Sequence, residues 1–275
     1  MQQVVLFFNP LSGRFKSALI PQWVSILESE GLQVTVVSDP AQLRFLQQTH
    51  IIVAGGDGTF HTAINHADVK TNSFSIMPVG SGNDFASNFK RRDIAELAVQ
   101  IKSKQYVQCD IMRINEVYVH NVCGVGFEAL VAEKARKTKP ASLKYIIPVM
   151  RNLFFYKPIR AKIQAENFHY HDWVFMVSMG NGEQAGGGFK LFPKAKLNDG
   201  KLDLLLIKPP NLWQRLLYVF LVNVGKHLTL KPVEFRQVSS CSIELEGVET
   251  FQADGELYKA DKLMVQVLPG CLTLV

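Results

Sequence analysis

Asp57 is the first residue in the chain around which chemistry can be built. It stands in Gly55-Gly56-Asp57-Gly58-Thr59, directly after the apolar run Ile51-Ile52-Val53-Ala54. The run reads as a buried strand. The glycines permit positive φ and let backbone approach a ligand closely. Thr59 is a competent cap for a helix over Thr59 to Ala67. Strand, glycine turn and helix N-terminus together gather N–H donors, and the helix dipole adds roughly half a positive charge there. Such a place suits a phosphate. A carboxylate beside a phosphate is repelled unless a cation or a proton lies between them, so Asp57 points to Mg²⁺ or to general-base chemistry. For this stretch alone, a tight strand–helix turn with Asp57 as the cap competes with that reading.

Two further polar loops follow strands. Gln3 to Phe8 runs into Asn9-Pro10-Leu11-Ser12-Gly13-Arg14, and Phe74 to Val79 runs into Gly80-Ser81-Gly82-Asn83-Asp84-Phe85. Helices are expected over Ser17 to Ser29, closed by Gly31, over Gln42 to Gln48, and over Asp93 to Lys102. A strand over Gln33 to Val37 ends at Ser38. This alternation predicts a parallel sheet with helices on both faces. Ligands of such sheets sit beyond the carboxyl ends of the strands, where the three polar loops should converge.

The pattern changes near Tyr106. Strands are expected over Val107 to Ile114, Val117 to Val122, Arg160 to Ala165, Trp173 to Met179, Lys201 to Ile207, Val233 to Val238, Ser242 to Leu245, Thr250 to Ala253 and Leu263 to Val267. Helical stretches interrupt them within Phe127 to Tyr156 and over Leu212 to Lys226. Many short strands with turn signals indicate an antiparallel sandwich or barrel. The fold class is therefore α/β: a Rossmann-like parallel α/β domain over residues 1–106, then an antiparallel β-sandwich-like domain over 107–275. The C-terminal tail is free to pack back on the first domain.

The chain has 275 residues, 47% of them hydrophobic and 20% charged, enough for two modest cores. A net charge of +6 favours anionic ligands such as nucleotides or phospholipid surfaces. No zinc-finger pattern or basic, aromatic-interleaved helix supports nucleic acid as a partner. Cys109, Cys123, Cys241 and Cys271 lack metal or redox spacing and read as buried thiols of a reducing, cytoplasmic compartment. No apolar stretch reaches about 18 uncharged residues, and the N-terminus enters a strand at once, so neither a membrane span nor a signal peptide is expected. The histidines show no metal spacing; His169 and His171 read as surface neighbours on a strand.

The ordered set of motifs resembles the diacylglycerol kinase catalytic family of soluble lipid kinases, which is related to the sphingosine kinases. It comprises Asn9-Pro10 with Ser12-Gly13, Gly55 to Thr59, and Gly80 to Phe85. Later come Gly124-Val125-Gly126-Phe127, Asn181-Gly182 with Gly186-Gly187-Gly188-Phe189, Asn198-Asp199-Gly200-Lys201-Leu202-Asp203, and Asp254-Gly255-Glu256. The glycine-aspartate motif alone is shared with NAD kinases. The start at Asn9 and the late Asp-Gly-Glu favour lipid kinases. The sequence departs from the family pattern at His61 and Thr62, where Asn-Glu is usual, and at Ser81, where Thr is usual.

The resemblance implies ATP as co-substrate, Mg²⁺, a lipid hydroxyl such as that of diacylglycerol as acceptor, and an active site in the cleft between the domains. The nucleotide would meet Asn9, Ser12, Gly13, Ser38, Gly55, Gly56, Asp57, Gly58, Thr59, Ser81, Asn83 and Asp84. Glu256 would be the base that takes the acceptor proton, with Asp254 beside it and Asp57 acting through the metal or as a base. Lys196, Asp199 and Lys201 match a structural Mg²⁺ loop, with oxygen ligands of the kind this ion takes. Both Asp-Gly stretches also read as plain hairpin turns. The lipid acceptor implies peripheral membrane association, and a homodimer stays open. The alternatives are a kinase of a small acceptor such as NAD, and a nucleotide- or lipid-binding regulator without catalysis, the latter suggested by His61 and Thr62. The Lys144 to Tyr156 stretch reads better as a packed helix than as a lipid contact.

Overall fold

The computed structural model describes residues 2–10, 18–80, 82–89, 93–137 and 151–275. Ser12, Gly13, Arg14, Ser81 and the Lys144 to Met150 part of the apolar stretch lie outside the described residues. The chain divides into two compact units, Met1–Ile111 with Pro269–Val275, and Met112–Leu268.

The first unit contains β1 (Gln2–Phe8), α1 (Leu19–Ser29), β2 (Leu32–Val37), β3 (His50–Gly55), α2 (Asp57–His66), β4 (Ser73–Pro78) and α3 (Ile94–Lys102). β1 lies between β2 and β3, and β4 lies beyond β3, each pair parallel. All six residues of β3 are buried, as a central strand covered on both faces requires. Ile52 and Ala54 of β3 share a core with Trp23 and Leu27 of α1 and with Leu97 and Ile101 of α3. Phe60 of α2 packs on Phe74 and Phe85, with ring centres 6.0 and 5.6 Å apart. Gly31, at φ +84°, ends α1, and a capping box of Asp93 and Glu96 starts α3. The helix expected over Gln42 to Gln48 is instead a 3₁₀ turn, Pro40–Phe45. Pro40 presets its first residue and Asp39 caps it through the Ala41 N–H, so the turn begins earlier than the apolar spacing suggests.

The second unit carries β6 (Val117–Val119), β7 (Val122–Gly126), α4 (Phe127–Lys137), β8 (Ile159–Ala165), β9 (Phe168–Val174), β10 (Met176–Gly180), β11 (Leu202–Ile207), α5 (Leu212–Asn223), β12 (Val233–Val238) and β13 (Ser240–Ala253). β5 (Val107–Ile114) leads into it and β14 (Glu256–Leu274) leads out. One layer runs β12-β11-β10-β7-β13, antiparallel throughout. β13 pairs with β7 through Phe251 to Ala253 but with β8 through Cys241 to Leu245. Its register shifts between Glu244 and Glu249, where Gly247 has φ +93°. Such a bulge lets one strand serve two layers, which makes the unit sandwich-like. Ser242 to Leu245 and Thr250 to Ala253, expected as two strands, are thus one bent strand. The expected strand Trp173 to Met179 is two, parted at Phe175. The expected strand Val117 to Val122 breaks at His120 and Asn121. Met112, Val125, Ile163, Val177, Leu204, Ile243 and Leu263 belong to the core between the layers.

At the end of β14, Leu274 returns to the first unit and pairs in parallel with Phe74. The four cysteines are free thiols, three of them buried and Cys271 half-buried. Among the described residues no helix is long and apolar enough to cross a membrane.

Candidate active site

The first unit builds its site from the loops after β3 and β4. Asp57 is the first residue of α2, and Gly56, not Thr59, is the capping position, with no side-chain cap bond. Thr59 lies within the first turn and is buried. The glycines of the first loop do not use positive φ either; none of them is among the glycines that do. Their value is steric. A Cβ on Gly56 would strike the Gly82 carbonyl, one on Gly80 would strike the Gly56 backbone, and one on Gly55 would strike Thr59. The two loops therefore press backbone against backbone.

Asp57 ties that contact together. Its N–H donates to the Gly82 carbonyl at 3.0 Å. Its carboxylate accepts the Asp84 N–H at Oδ2, 2.9 Å, and the Phe85 N–H at Oδ1, 3.3 Å. The Val79 N–H closes the other end onto the Gly55 carbonyl at 3.2 Å. Two of the three loops expected to converge are thus joined. The third follows β1, which is the parallel neighbour of β3; its Asn9 is half-buried. Gly58 is half-buried in the first turn of α2, and Ser38 is exposed just past β2. Asn83 donates to the Gly80 carbonyl at 3.1 Å, while its buried Oδ1 has no hydrogen-bond donor among the described residues. A cavity of about 570 Å³ opens beside it, lined in part by Met77, Pro78, Phe89, Leu274 and Val275. At the departure from the family pattern, His61 is buried, and the Thr62 hydroxyl donates to the Gly58 carbonyl at 2.9 Å.

The second unit presents the Asp254-Gly255 hairpin between β13 and β14. Ala253 pairs with Glu256, and both intervening residues have positive φ, +50° and +86°, as the tightest hairpin turns require. The turn reading therefore holds for this stretch. The Asp254 carboxylate is fully buried and accepts three successive backbone N–H groups, those of His120, Asn121 and Val122, at 3.0 to 3.1 Å. His120 Nδ1 lies 2.7 Å from its Oδ2. These bonds take the amides that a continuous Val117 to Val122 strand would have spent on its ladder, which is why the strand breaks there. Glu256, two residues on, is half-exposed and paired with Arg136 of α4, Oε2 to Nη1, at 2.7 Å.

Glu128 was not singled out from the sequence, although it directly follows the Gly124 to Phe127 motif. Ser178 and Gln252 flank Gly124 on the neighbouring strands, and a Cβ on Gly124 would strike the Glu128 carboxylate. The missing side chain makes room for the acid. Gln252 Nε2 donates to Glu128 Oε1 at 2.7 Å, and Gln252 Oε1 accepts the Gly255 N–H at 2.9 Å. Burial pushes the Glu128 carboxyl up to about 7, against the pull of Ser178 and Gln252. Glu128 is thus wired to the Asp-Gly-Glu turn.

Lys196, Asp199 and Lys201 are exposed in the turn before β11, and Asp199 Oδ1 accepts the Lys201 N–H at 3.1 Å. Asp203 stands next to them in effect. Its Oδ1 accepts from Gln237 at 3.0 Å, while its buried Oδ2 has no donor among the described residues. Burial, then the charge of Asp199, raises Asp203 to about 6, although Gln237 and Lys194 pull it down. An orphaned buried carboxylate oxygen beside a second carboxylate is a donor set that fits Mg²⁺. Asp203 closes the Asn198 to Asp203 motif, and only its burial and unpaired oxygen in the fold distinguish it there.

The family comparisons agree along the chain. The diacylglycerol kinase catalytic domain model matches residues 3–114, and the YegS C-terminal NAD kinase beta sandwich-like domain model matches 121–275. The probable lipid kinase YegS of Salmonella arizonae is 27% identical over 272 residues, covering 90% of this chain and 88% of the relative. That of Escherichia fergusonii is 28% identical over 273 residues, with the same coverage. In fold, a crystal structure of a diacylglycerol kinase from Bacillus anthracis strain Sterne superposes with a TM-score of 0.75 at 22% identity, covering 100% of this chain and 96% of that one. An NAD kinase from Archaeoglobus fulgidus in complex with ATP has the same fold more distantly, with a TM-score of 0.55 at 11% identity and coverage of 100% and 93%. With one domain model on each half in the order of the motifs, the chain belongs to the YegS-like lipid kinase family, a diacylglycerol kinase catalytic domain followed by a YegS C-terminal domain.

Proposed function

We propose that the protein is an ATP-dependent lipid kinase that moves the γ-phosphoryl group of ATP to the hydroxyl of a lipid such as diacylglycerol. The observation that carries this reading is the Asp57 clasp, which locks two glycine loops together at the start of α2. Phosphoryl transfer needs positioning and charge neutralisation more than covalent help. Backbone N–H groups and the helix end supply both for an anionic nucleotide. The cavity beside Asn83 has room for the base.

In this reading the acceptor hydroxyl attacks the γ-phosphorus, the bond to the bridging oxygen breaks, and ADP leaves. Glu256 takes the hydroxyl proton, steadied by Arg136. Asp254 holds the turn that carries Glu256. Asp199 and Asp203 would hold Mg²⁺; that ion, when bound, neutralises the carboxylates and stiffens their loop.

The test is a panel. Purified protein is incubated with ATP, Mg²⁺ and lipid alcohols including diacylglycerol, with NAD as a separate arm. The expected outcome is one phosphorylated lipid, with ADP production lost in Asp57→Ala. Phosphorylated NAD would replace the acceptor, a reading that likeness of fold to the Archaeoglobus NAD kinase supports. Nucleotide binding without any product would favour the non-catalytic regulator.

A further inference from the structure

We propose that the outer face of α5 docks the protein on an anionic lipid bilayer. This deepens the lipid-kinase reading and rests on it for the nature of the partner. A surface helix normally turns its polar residues outward. α5, Leu-Trp-Gln-Arg-Leu-Leu-Tyr-Val-Phe-Leu-Val-Asn, does the opposite. Its inner side packs Tyr218, Val219 and Val222 against the core of Phe127, Phe175 and Leu205. Its outer side shows Trp213, Leu217 and Phe220, which are 81%, 46% and 72% exposed, and Val224 just past its end is 60% exposed. The spacings of four, three and four residues place these side chains on one stripe.

The single charge of the helix is turned inward. Arg215 Nη1 donates to the carbonyls of Leu153 and Phe154 at 2.7 and 3.1 Å, and its Nε donates to the Pro210 carbonyl at 3.1 Å. Its guanidinium lies 4.8 Å from the Phe175 ring centre. This strips the outer face of charge and fixes residues 153–156 beside the helix. Phe155, 76% exposed, extends the apolar surface there.

The rim is basic. No Asp or Glu occurs between Leu204 and Val233, while Lys226 and Lys231 fall in that stretch and Lys157 follows Phe155 closely; Lys208 also lies there but is paired with Glu234, Nζ to Oε1, at 2.6 Å. Lys157, Lys226 and Lys231 are exposed. An apolar aromatic stripe with a cationic rim matches the boundary of an anionic bilayer. A second copy would set the same basic rims against each other, which is repulsive. At twelve residues the helix is too short to span a bilayer, so it lies in the surface.

The experiment sediments the full-length protein with vesicles of phosphatidylcholine alone and with equimolar phosphatidylcholine and phosphatidylglycerol. The parent should bind the anionic vesicles at least about tenfold more tightly, and high salt should weaken that binding. Phe220→Ser and Trp213→Ser should each reduce it by roughly tenfold, with unchanged thermal midpoints because both side chains are exposed. Equal binding of parent and variants overturns the proposal. So does ultracentrifugation that finds a parent dimer broken by Phe220→Ser with vesicle binding intact. A short-chain, monomerically dispersed diacylglycerol separates the two readings. The variants should phosphorylate it like the parent and fail only on vesicles. If the parent phosphorylates no acceptor while the stripe still governs binding, the kinase reading falls and the docking surface stands.

Discussion

Asp254 and Glu256 are two carboxylates two residues apart in opposite surroundings. Asp254 is sealed beneath the β6–β7 turn, with three N–H groups and His120 around it. Glu256 is half-exposed on a single arginine. Their substitutions should therefore fail in different ways. Glu256→Gln keeps the shape and removes the proposed base, so turnover on the proposed lipid acceptor should fall roughly 10²–10⁴-fold. Its thermal midpoint should hardly move, because a half-exposed ion pair is worth about 0–1 kcal/mol. Asp254→Asn leaves buried donors without acceptors, which costs about 3 kcal/mol. For a chain of this size that is a midpoint lowered by roughly 5–10 °C. Calorimetry beside steady-state rates separates the two. Normal turnover in Glu256→Gln would remove Glu256 from the chemistry.

Among elements, the β7–α4 junction has the most readable dependence on pH. Glu128 sits over Gly124 and reaches the Asp254-Gly255-Glu256 turn through Gln252. Its carboxyl is raised from 4.5 to about 7 by burial. Between those values the folded protein keeps a proton that the unfolded chain releases. The associated stability is complete below 4.5 and is lost as pH rises through 7. The shift corresponds to about 3 kcal/mol at most. Glu128→Gln carries no such titration. Its thermal midpoint should gain on the parent steadily from pH 5 to pH 8, and parallel pH profiles would show the carboxyl is not carrying a raised value. β13 teaches a second lesson at this scale. Its two apolar stretches were visible in the sequence, but their union through the bulge at Gly247 depends on partners in two layers.

For the whole molecule, an ion held by the folded state alone must raise its stability. Mg²⁺ at about 100 times its dissociation constant should stabilise the protein by about 2.7 kcal/mol. Asp199→Asn, an exposed change, should abolish the midpoint shift while leaving the ion-free midpoint near the parent's. A parent midpoint indifferent to Mg²⁺ would mean the turn before β11 is only a turn. Much of the molecule could be read beforehand. The alternation of strand and helix up to Lys102, the strand-rich half after it, and the family itself all follow from local patterns: apolar periodicity, glycine spacing and motif order survive without knowledge of the fold. What residues do within those patterns was decided only by contacts between distant segments. Thr59 looked like a cap because a hydroxyl before an apolar run usually is one, yet the helix begins at Asp57, where the loop after β4 supplies the partners. Gly56 and Gly80 read locally as a ligand loop and a turn, and the contact that requires each to lack a Cβ is with the other's loop. Glu128 became legible only when Gly124 left space above it and Gln252 arrived from a strand more than a hundred residues away. Local sequence sets which conformations are cheap; hydrogen-bond and steric partners far along the chain, invisible in any window of residues, set which side chain meets which.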